Sequence, residues 1–176
     1  MFRKIGKRVD ANYFSMNGDV ARLVMDRETT EKLGGVVTVD HYVKTPETLA
    51  NDAEDFIDRS GGKLVLGEFG APIPDIHGRM TEEEQSAWLE DTLFRLSRLS
   101  NIAGVNYWTH VGSSTALWDD RGVPREAVSV LAWYYRPRVF FGVVRDELGQ
   151  SIVGATLSSG EQFQARTNDE LSLIHI

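Results

Sequence analysis

Lys63-Leu64-Val65-Leu66-Gly67-Glu68-Phe69-Gly70 is the stretch that decides the fold. Its apolar residues run continuously instead of alternating, the composition of a strand covered on both faces, as in the parallel sheets of α/β proteins. Ser60-Gly61-Gly62 stops the element before it, and a loop with proline and glycine follows it.

Working outward toward the N-terminus, Val36-Val37-Thr38-Val39 is a second β-branched run. Between the two, Thr45-Pro46 opens a helix with proline in its first turn. Leu49, Ala50, Ala53, Phe56 and Ile57 form one apolar stripe along it. Further back, Asp19 to Leu33 is expected to be a single helix with Val20, Leu23, Val24 and Leu33 inward, closed by Gly34-Gly35.

Toward the C-terminus, Thr81 and Glu84 have the spacing of a capping box. The helix they open carries Trp88, Leu89, Leu93, Leu96 and Leu99. Ile102 to Trp108 is the next strand, and a long loop runs from Thr109 to Val123. Pro124 opens a last helix with Ala127, Val128, Leu131 and Tyr135 inward.

Strand–helix alternation of this kind implies a parallel sheet with right-handed crossovers. Three such units cannot close a barrel, which takes eight, so the region is either a small open α/β domain or part of a larger barrel. Arg136-Pro137-Arg138 ends the alternation. Residues 139–145 and 151–157 then have the pattern of two strands flanking a turn, the opening of a β-sandwich too short to be completed. Leu171 to Ile176 departs from the preceding composition and is set aside as a non-native tail. The expected domains are therefore 1–137, 138–170 and a tail at 171–176.

Composition narrows the function. A net charge of -7 argues against a nucleic-acid duplex as partner, which needs a basic face. The chain has no cysteine, which excludes disulfides, thiolate metal sites and a cysteine nucleophile. His41, His77, His110 and His175 lack metal-ligand spacing, and no metal or cofactor is expected. No apolar run is long enough for a membrane span. Met1 to Arg8 is basic but no apolar segment follows, so no secretory signal peptide is expected in this chain.

Glu68 is the first candidate for chemistry. An unpaired carboxylate is costly to bury, yet this one sits near the C-terminal end of an apolar strand, where parallel α/β folds place their sites. The alternative is a strand-end salt bridge. His41 and Tyr42 close the preceding strand and Tyr107-Trp108 the following one. An aromatic face beside a carboxylate suits a sugar ring, whose C–H groups stack while its hydroxyls hydrogen-bond. His41 or Tyr42 could orient the carboxylate. The alternatives are core packing for Trp108 and a satisfied core histidine for His41. Trp118, in the long loop, either lines a sugar subsite or packs on its own surroundings.

Three strand ends in sequence, Asp40-His41-Tyr42, Leu64-Val65-Leu66-Gly67-Glu68-Phe69-Gly70 and Gly104-Val105-Asn106-Tyr107-Trp108, resemble strands six, seven and eight of clan A glycoside hydrolases, especially the cellulase/mannanase family (glycoside hydrolase family 5). Ala116 to Arg125 looks like the segment those barrels place after the last strand, and the resemblance covers roughly residues 36–135. It implies the C-terminal part of a (β/α)8 TIM barrel, with Glu68 as nucleophile, His41, Tyr42, Trp108 and Trp118 around a carbohydrate substrate, and a secreted or cell-surface parent protein. The tail, through Gly142-Val143-Val144-Arg145-Asp146, Gly154-Ala155 and Thr167-Asn168-Asp169-Glu170, resembles the start of a carboxypeptidase-regulatory-like β-sandwich.

Retaining hydrolysis takes two carboxyl groups about 5–5.5 Å apart. In the resembled clan the second follows an asparagine at the end of strand four, and this chain has no Asn-Glu dipeptide. The acid/base is therefore expected upstream of Met1, and the chain by itself is expected not to hydrolyse glycosides. Two other readings stay open: a non-catalytic carbohydrate-binding or cell-surface protein on a barrel scaffold, and a free-standing α/β domain that uses Glu68 for other chemistry.

Overall fold

The computed structural model describes residues 15–136, 139–142, 144–159, 163–167 and 172–175. The basic segment 1–8 and the Asn168-Asp169-Glu170 run lie outside the described residues. The chain divides into two compact units, Met1–Ala132 and Trp133–Ile176.

The first unit is α/β. Strands β1 (Met16–Asn17), β2 (Val36–Asp40), β3 (Lys63–Phe69) and β4 (Ile102–Tyr107) form one parallel sheet in chain order. Helices α1 (Gly18–Val24), α2 (Arg27–Lys32), α3 (Pro46–Ser60), α4 (Pro74–His77), α5 (Glu82–Leu96) and α6 (Glu126–Tyr134) punctuate it. The start signals read from the sequence act as expected. The Thr45 side chain accepts the Thr48 N–H at the head of α3. Thr81 and Glu84 exchange both bonds of a capping box on α5. Gly61 ends α3 in the left-handed region, at φ 63°.

Val37, Val39, Leu64, Leu66 and Phe69 of the sheet form the core with Leu49, Ala53 and Phe56 of α3 and Leu89 and Leu93 of α5. Each such leucine or phenylalanine contributes about 1.5–3 kcal/mol by leaving water. The sequence predicts cover on both faces of β3, but only one face is fully buried. Val65 and Gly67, like Thr38 and Asp40 beside them on β2, keep partial exposure. That second face is polar or small where it passes Asp40, Gly67 and Asn106.

A bulge sets the direction of Glu68. Leu64 and Leu66 share the buried face, and strict alternation would send Glu68 there with them. Phe69 is buried instead, three residues after Leu66. The register absorbs the mismatch: Val39 pairs with Leu66 but Asp40 with Glu68, and on the other side Leu66 pairs with Val105 and Phe69 with Tyr107. Gly67 and Glu68 together oppose one residue on each neighbour, the signature of a bulge. Gly67 fits because a β-carbon there would lie 2.7 Å from Asp40 Oδ1 and 2.9 Å from Ser15 Oγ.

The first helix differs from expectation. The segment Asp19 to Leu33 forms two helices, because Asp26 accepts the Thr29 N–H and caps α2 as a new start. Ala21, Met25 and Thr30 face inward, while Val20, Leu23, Val24 and Leu33 are exposed. The last helix begins at Glu126, two residues after Pro124, and buries Ala127 and Leu131.

In the second unit, β5 (Val139–Gly142) pairs antiparallel with β8 (Ser172–His175), and β6 (Thr156–Ser159) with β7 (Phe163–Arg166). Asp146 makes the turn expected there, its Oδ1 accepting the N–H groups of Leu148 and Gln150. The segment set aside as a tail supplies β8. The described residues of this unit form two two-stranded sheets.

Candidate active site

Four consecutive strand ends lie at one edge of the sheet: Asn17 of β1, Asp40 of β2 with His41 and Tyr42 just beyond it, Glu68 of β3, and Tyr107 of β4 followed by Trp108. A cleft of about 670 Å³ opens there, lined among others by Asn17, Arg22, His41, Tyr42, Asp52 and Trp108. Ile73 and Ile76 add an apolar side.

Tyr42 donates its hydroxyl to Glu68 Oε2 at 3.0 Å. Glu68 is half-buried and is not itself among the cleft-lining residues; Tyr42 connects it to them. Burial raises the Tyr42 phenol pKa above its usual value, and the hydrogen bond to Glu68 and the negative charges of Glu68 and Asp40 add to the rise. The phenol therefore stays a donor over the whole neutral range. Its retained proton also favours the folded state below pH about 10, where unfolded tyrosine is likewise protonated. Above about 10 the unfolded phenol ionises first, and this contribution is lost as pH climbs toward the raised folded value. Alkaline difference spectra should show equal tyrosinate absorbance at pH about 11 for the wild type and Tyr42→Phe. One extra tyrosinate in the wild type, with an ordinary midpoint, would contradict the arrangement.

His41 does not orient Glu68 with its ring. Its backbone N–H donates to the Glu68 carbonyl at 2.8 Å, while its Nε2 lies 2.7 Å from Asp52 Oδ2. The ring meets Phe56 edge-on, and Gly18 leaves no room for a β-carbon beside its Nδ1. Asp52 also holds Arg22, 2.6 Å from its Oδ1. His41 is thus both a satisfied, buried histidine and part of the cleft wall.

Trp108 is 46% exposed, unusual for so large a ring at a strand end, and it lines the same cleft as Tyr42. Its backbone is fixed by the N–H bond to Phe69 O at 2.9 Å. Gly70 allows this close approach, since a β-carbon there would lie 2.5 Å from the Trp108 carbonyl oxygen. Beneath it, Tyr107 donates to the carbonyls of Ala71 and Thr115. Gln85 of α5 joins the same groups, its Nε2 reaching Ala71 O, Thr115 O and Tyr107 Oη.

Trp118 is not among the cleft's lining residues. Its ring lies 4.1 Å from that of His110, in a turn organised by Asp119, which accepts the N–H groups of Arg121 and Val123. Those bonds, led by the Val123 backbone, hold the Asp119 carboxyl below its usual pKa. Sequence reading passed over Arg22, Asp52 and Gln85. Gln85 had left a trace, a polar residue on the stripe of Trp88, Leu89 and Thr92.

Among the described residues, no group of histidine and carboxylate side chains could hold a metal ion. None of the described helices is long and apolar enough to cross a membrane.

Similar solved structures include glycoside hydrolases. A β-glucuronidase from an uncultured Clostridium sp. is 15% identical with a TM-score of 0.45, over 57% of this chain and 22% of that one. An endo-β-1,3-glucanase of glycoside hydrolase family 128 (subgroup II) from Sorangium cellulosum is 19% identical, TM-score 0.46, over 58% and 41%. A family 128 (subgroup VII) oligosaccharide-binding protein from Trichoderma gamsii is 12% identical, TM-score 0.47, over 58% and 43%. The chain thus spans less than half the length of each. No family model and no curated protein matches the chain.

Proposed function

We propose that the chain carries the nucleophile side of a retaining glycoside hydrolase that acts on O-glycosidic bonds of a β-linked oligosaccharide or polysaccharide. One observation carries this reading: Tyr42 hydrogen-bonds Glu68 where the sheet ends, and Tyr42 lines a cleft whose lining also includes the exposed Trp108. The bulge keeps Glu68 off the buried face, and Tyr42 fixes which of its oxygens stays free. Glu68 is then the nucleophile, Tyr42 its orienting partner and Trp108 the stacking platform. The resemblance of the three strand ends to the cellulase/mannanase family supports the same roles and a place late in a (β/α)8 barrel. The parent protein is proposed to be secreted or cell-surface.

The second carboxylate is assigned to a strand beyond these four. Asp52 is already engaged by Arg22 and His41, and Asp40 by the hydroxyl of Ser15 at 2.6 Å. The chain alone should accordingly bind sugar but not turn it over. Titrating it with cello-oligosaccharides should quench or shift tryptophan fluorescence, and Trp108→Ala should weaken binding by about tenfold, the value of one lost stacking contact. Unchanged affinity in Trp108→Ala would remove Trp108 from the site.

A second reading is sugar binding without hydrolysis, and one observation favours it: Glu68 is not itself among the cleft-lining residues. Covalent trapping of Glu68, described in the Discussion, separates the two.

A further inference from the structure

His77 ends the short helix α4, the segment whose Ile73 and Ile76 line the cleft. Its own side chain borders a shallow outer groove instead, with Arg79, Glu84, Trp88 and Asp91. The ring closes the segment on itself. The Ile73 N–H donates to His77 Nδ1 at 2.9 Å, and the His77 N–H donates to the Ile73 carbonyl at 2.8 Å. A ring nitrogen that accepts a hydrogen bond carries no proton, so this closure uses the neutral ring with its proton on Nε2. Nε2 is buried and has no hydrogen-bond partner among the described residues.

The ring also ties the segment to its neighbours. It meets Trp88 of α5 edge-on, with centroids 5.5 Å apart. Trp88 donates its indole N–H to the Lys44 carbonyl at 3.2 Å. Lys44 follows Tyr42 and Val43, which line the cleft. One chain of contacts therefore joins the loop after β3, helix α5 and the loop after β2, and both loops supply cleft wall. Burial holds the His77 pKa below its ordinary 6.5, outweighing the backbone groups of Val43 and Ile73, which favour a proton. The charged groups around the ring are Asp75 on α4, Arg79 in the next loop, Glu84 and Asp91 on α5 and Lys44 in the loop after β2. Glu84 is bound to the Thr81 N–H and Asp91 to Arg95. None of these charges is among the causes of the shift.

We propose that neutral His77 is a positioning residue, a latch that ties these two loops to α5 and holds the Ile73–Ile76 wall of the cleft, and that a proton on His77 opens it. The latch does not depend on what the cleft binds; its effect on affinity rests on the sugar-site reading above. A histidine with a lowered folded pKa favours the latched form fully above about 6.5, and the latch weakens as pH falls below that value. The ratio of open to latched forms rises at most about tenfold per pH unit.

The test is an amide and indole NMR titration of the isotope-labelled full chain from pH about 7.5 to about 5, across the histidine range. The Ile73 amide and the Trp88 indole N–H should shift together, with one midpoint below 6.5. Cello-oligosaccharide affinity should weaken over the same range, by up to about tenfold per pH unit. His77→Asn keeps an acceptor oxygen near the Nδ1 position and does not titrate, so both resonances and the affinity should stay level. His77→Phe lacks the acceptor and should show the acid position of the Ile73 amide already at neutral pH.

Either resonance failing to titrate in the wild type, or the titration persisting in His77→Asn, would overturn the latch, and the first result needs no variant. Affinity that stays level while both resonances titrate would overturn its hold on the cleft wall. Resonances that titrate in a chain binding no oligosaccharide at any pH would support the latch and overturn the sugar site alone.

Discussion

Replacing Gln85 by leucine should lower the unfolding free energy of the first unit by about 2 kcal/mol with little change in side-chain volume. Gln85 is 1% exposed, and its amide nitrogen reaches the carbonyls of Ala71 and Thr115 and the hydroxyl of Tyr107. The two carbonyls belong to the loops that follow β3 and β4, and Tyr107 ends β4, so one side chain on α5 ties both loops to the helix layer. Each buried bond is worth about 1 kcal/mol net, and a carbonyl left unpaired costs about 1–3 kcal/mol. Two effects soften the loss. Tyr107 still donates toward the same carbonyls, and the Gln85 Oε1, buried without a partner, disappears with the amide. Gln85→Ala adds a cavity and should cost more, about 3–4 kcal/mol. Denaturant unfolding followed by fluorescence measures both. A leucine variant as stable as the wild type would show that the amide does not tie these loops.

Much of the fold can be read locally. The Thr45 cap, the Thr81–Glu84 box and the apolar stripe of α3 are each set by residues within a turn or two of one another, and each is found as expected. The Glu68–Tyr42 contact was also within reach, since both residues sit at the ends of adjacent parallel strands. Other features depend on partners far along the chain. Arg22, His41 and Asp52 come from three elements, and nothing beside Asp52 in α3 marks it as the residue that holds both of the others. The sequence lets His41 orient Glu68, but the carboxylate its ring meets lies eleven residues on, across a loop. The Gly67–Glu68 bulge left a faint mark, a glycine inside an apolar strand and buried residues spaced by three instead of two. The division of the first helix turns on one local bond inside a stretch with helical periodicity. Asp26 competes for the Thr29 N–H, and that local bond outweighed a weak apolar stripe.

The largest effect should appear at Glu68. A retaining nucleophile can be examined without its acid/base partner if the leaving group needs no proton. With a fluorosugar bearing dinitrophenolate, a Glu68 carboxylate oxygen attacks the anomeric carbon as the bond to the phenolate breaks. The phenolate carries away the electron pair, and the fluorine slows hydrolysis of the glycosyl ester that remains. Glu68→Ala removes the attacking oxygen and should abolish labelling, whereas Tyr42→Phe should slow it by about 10- to 100-fold, because the carboxylate loses its fixed orientation. The direct measurement is the mass of the intact chain and its peptides after exposure to this reagent. The account predicts one fluorosugar per chain, on Glu68, released with one equivalent of dinitrophenolate. A chain that stays unlabelled, or labelling that persists in Glu68→Ala, would contradict it.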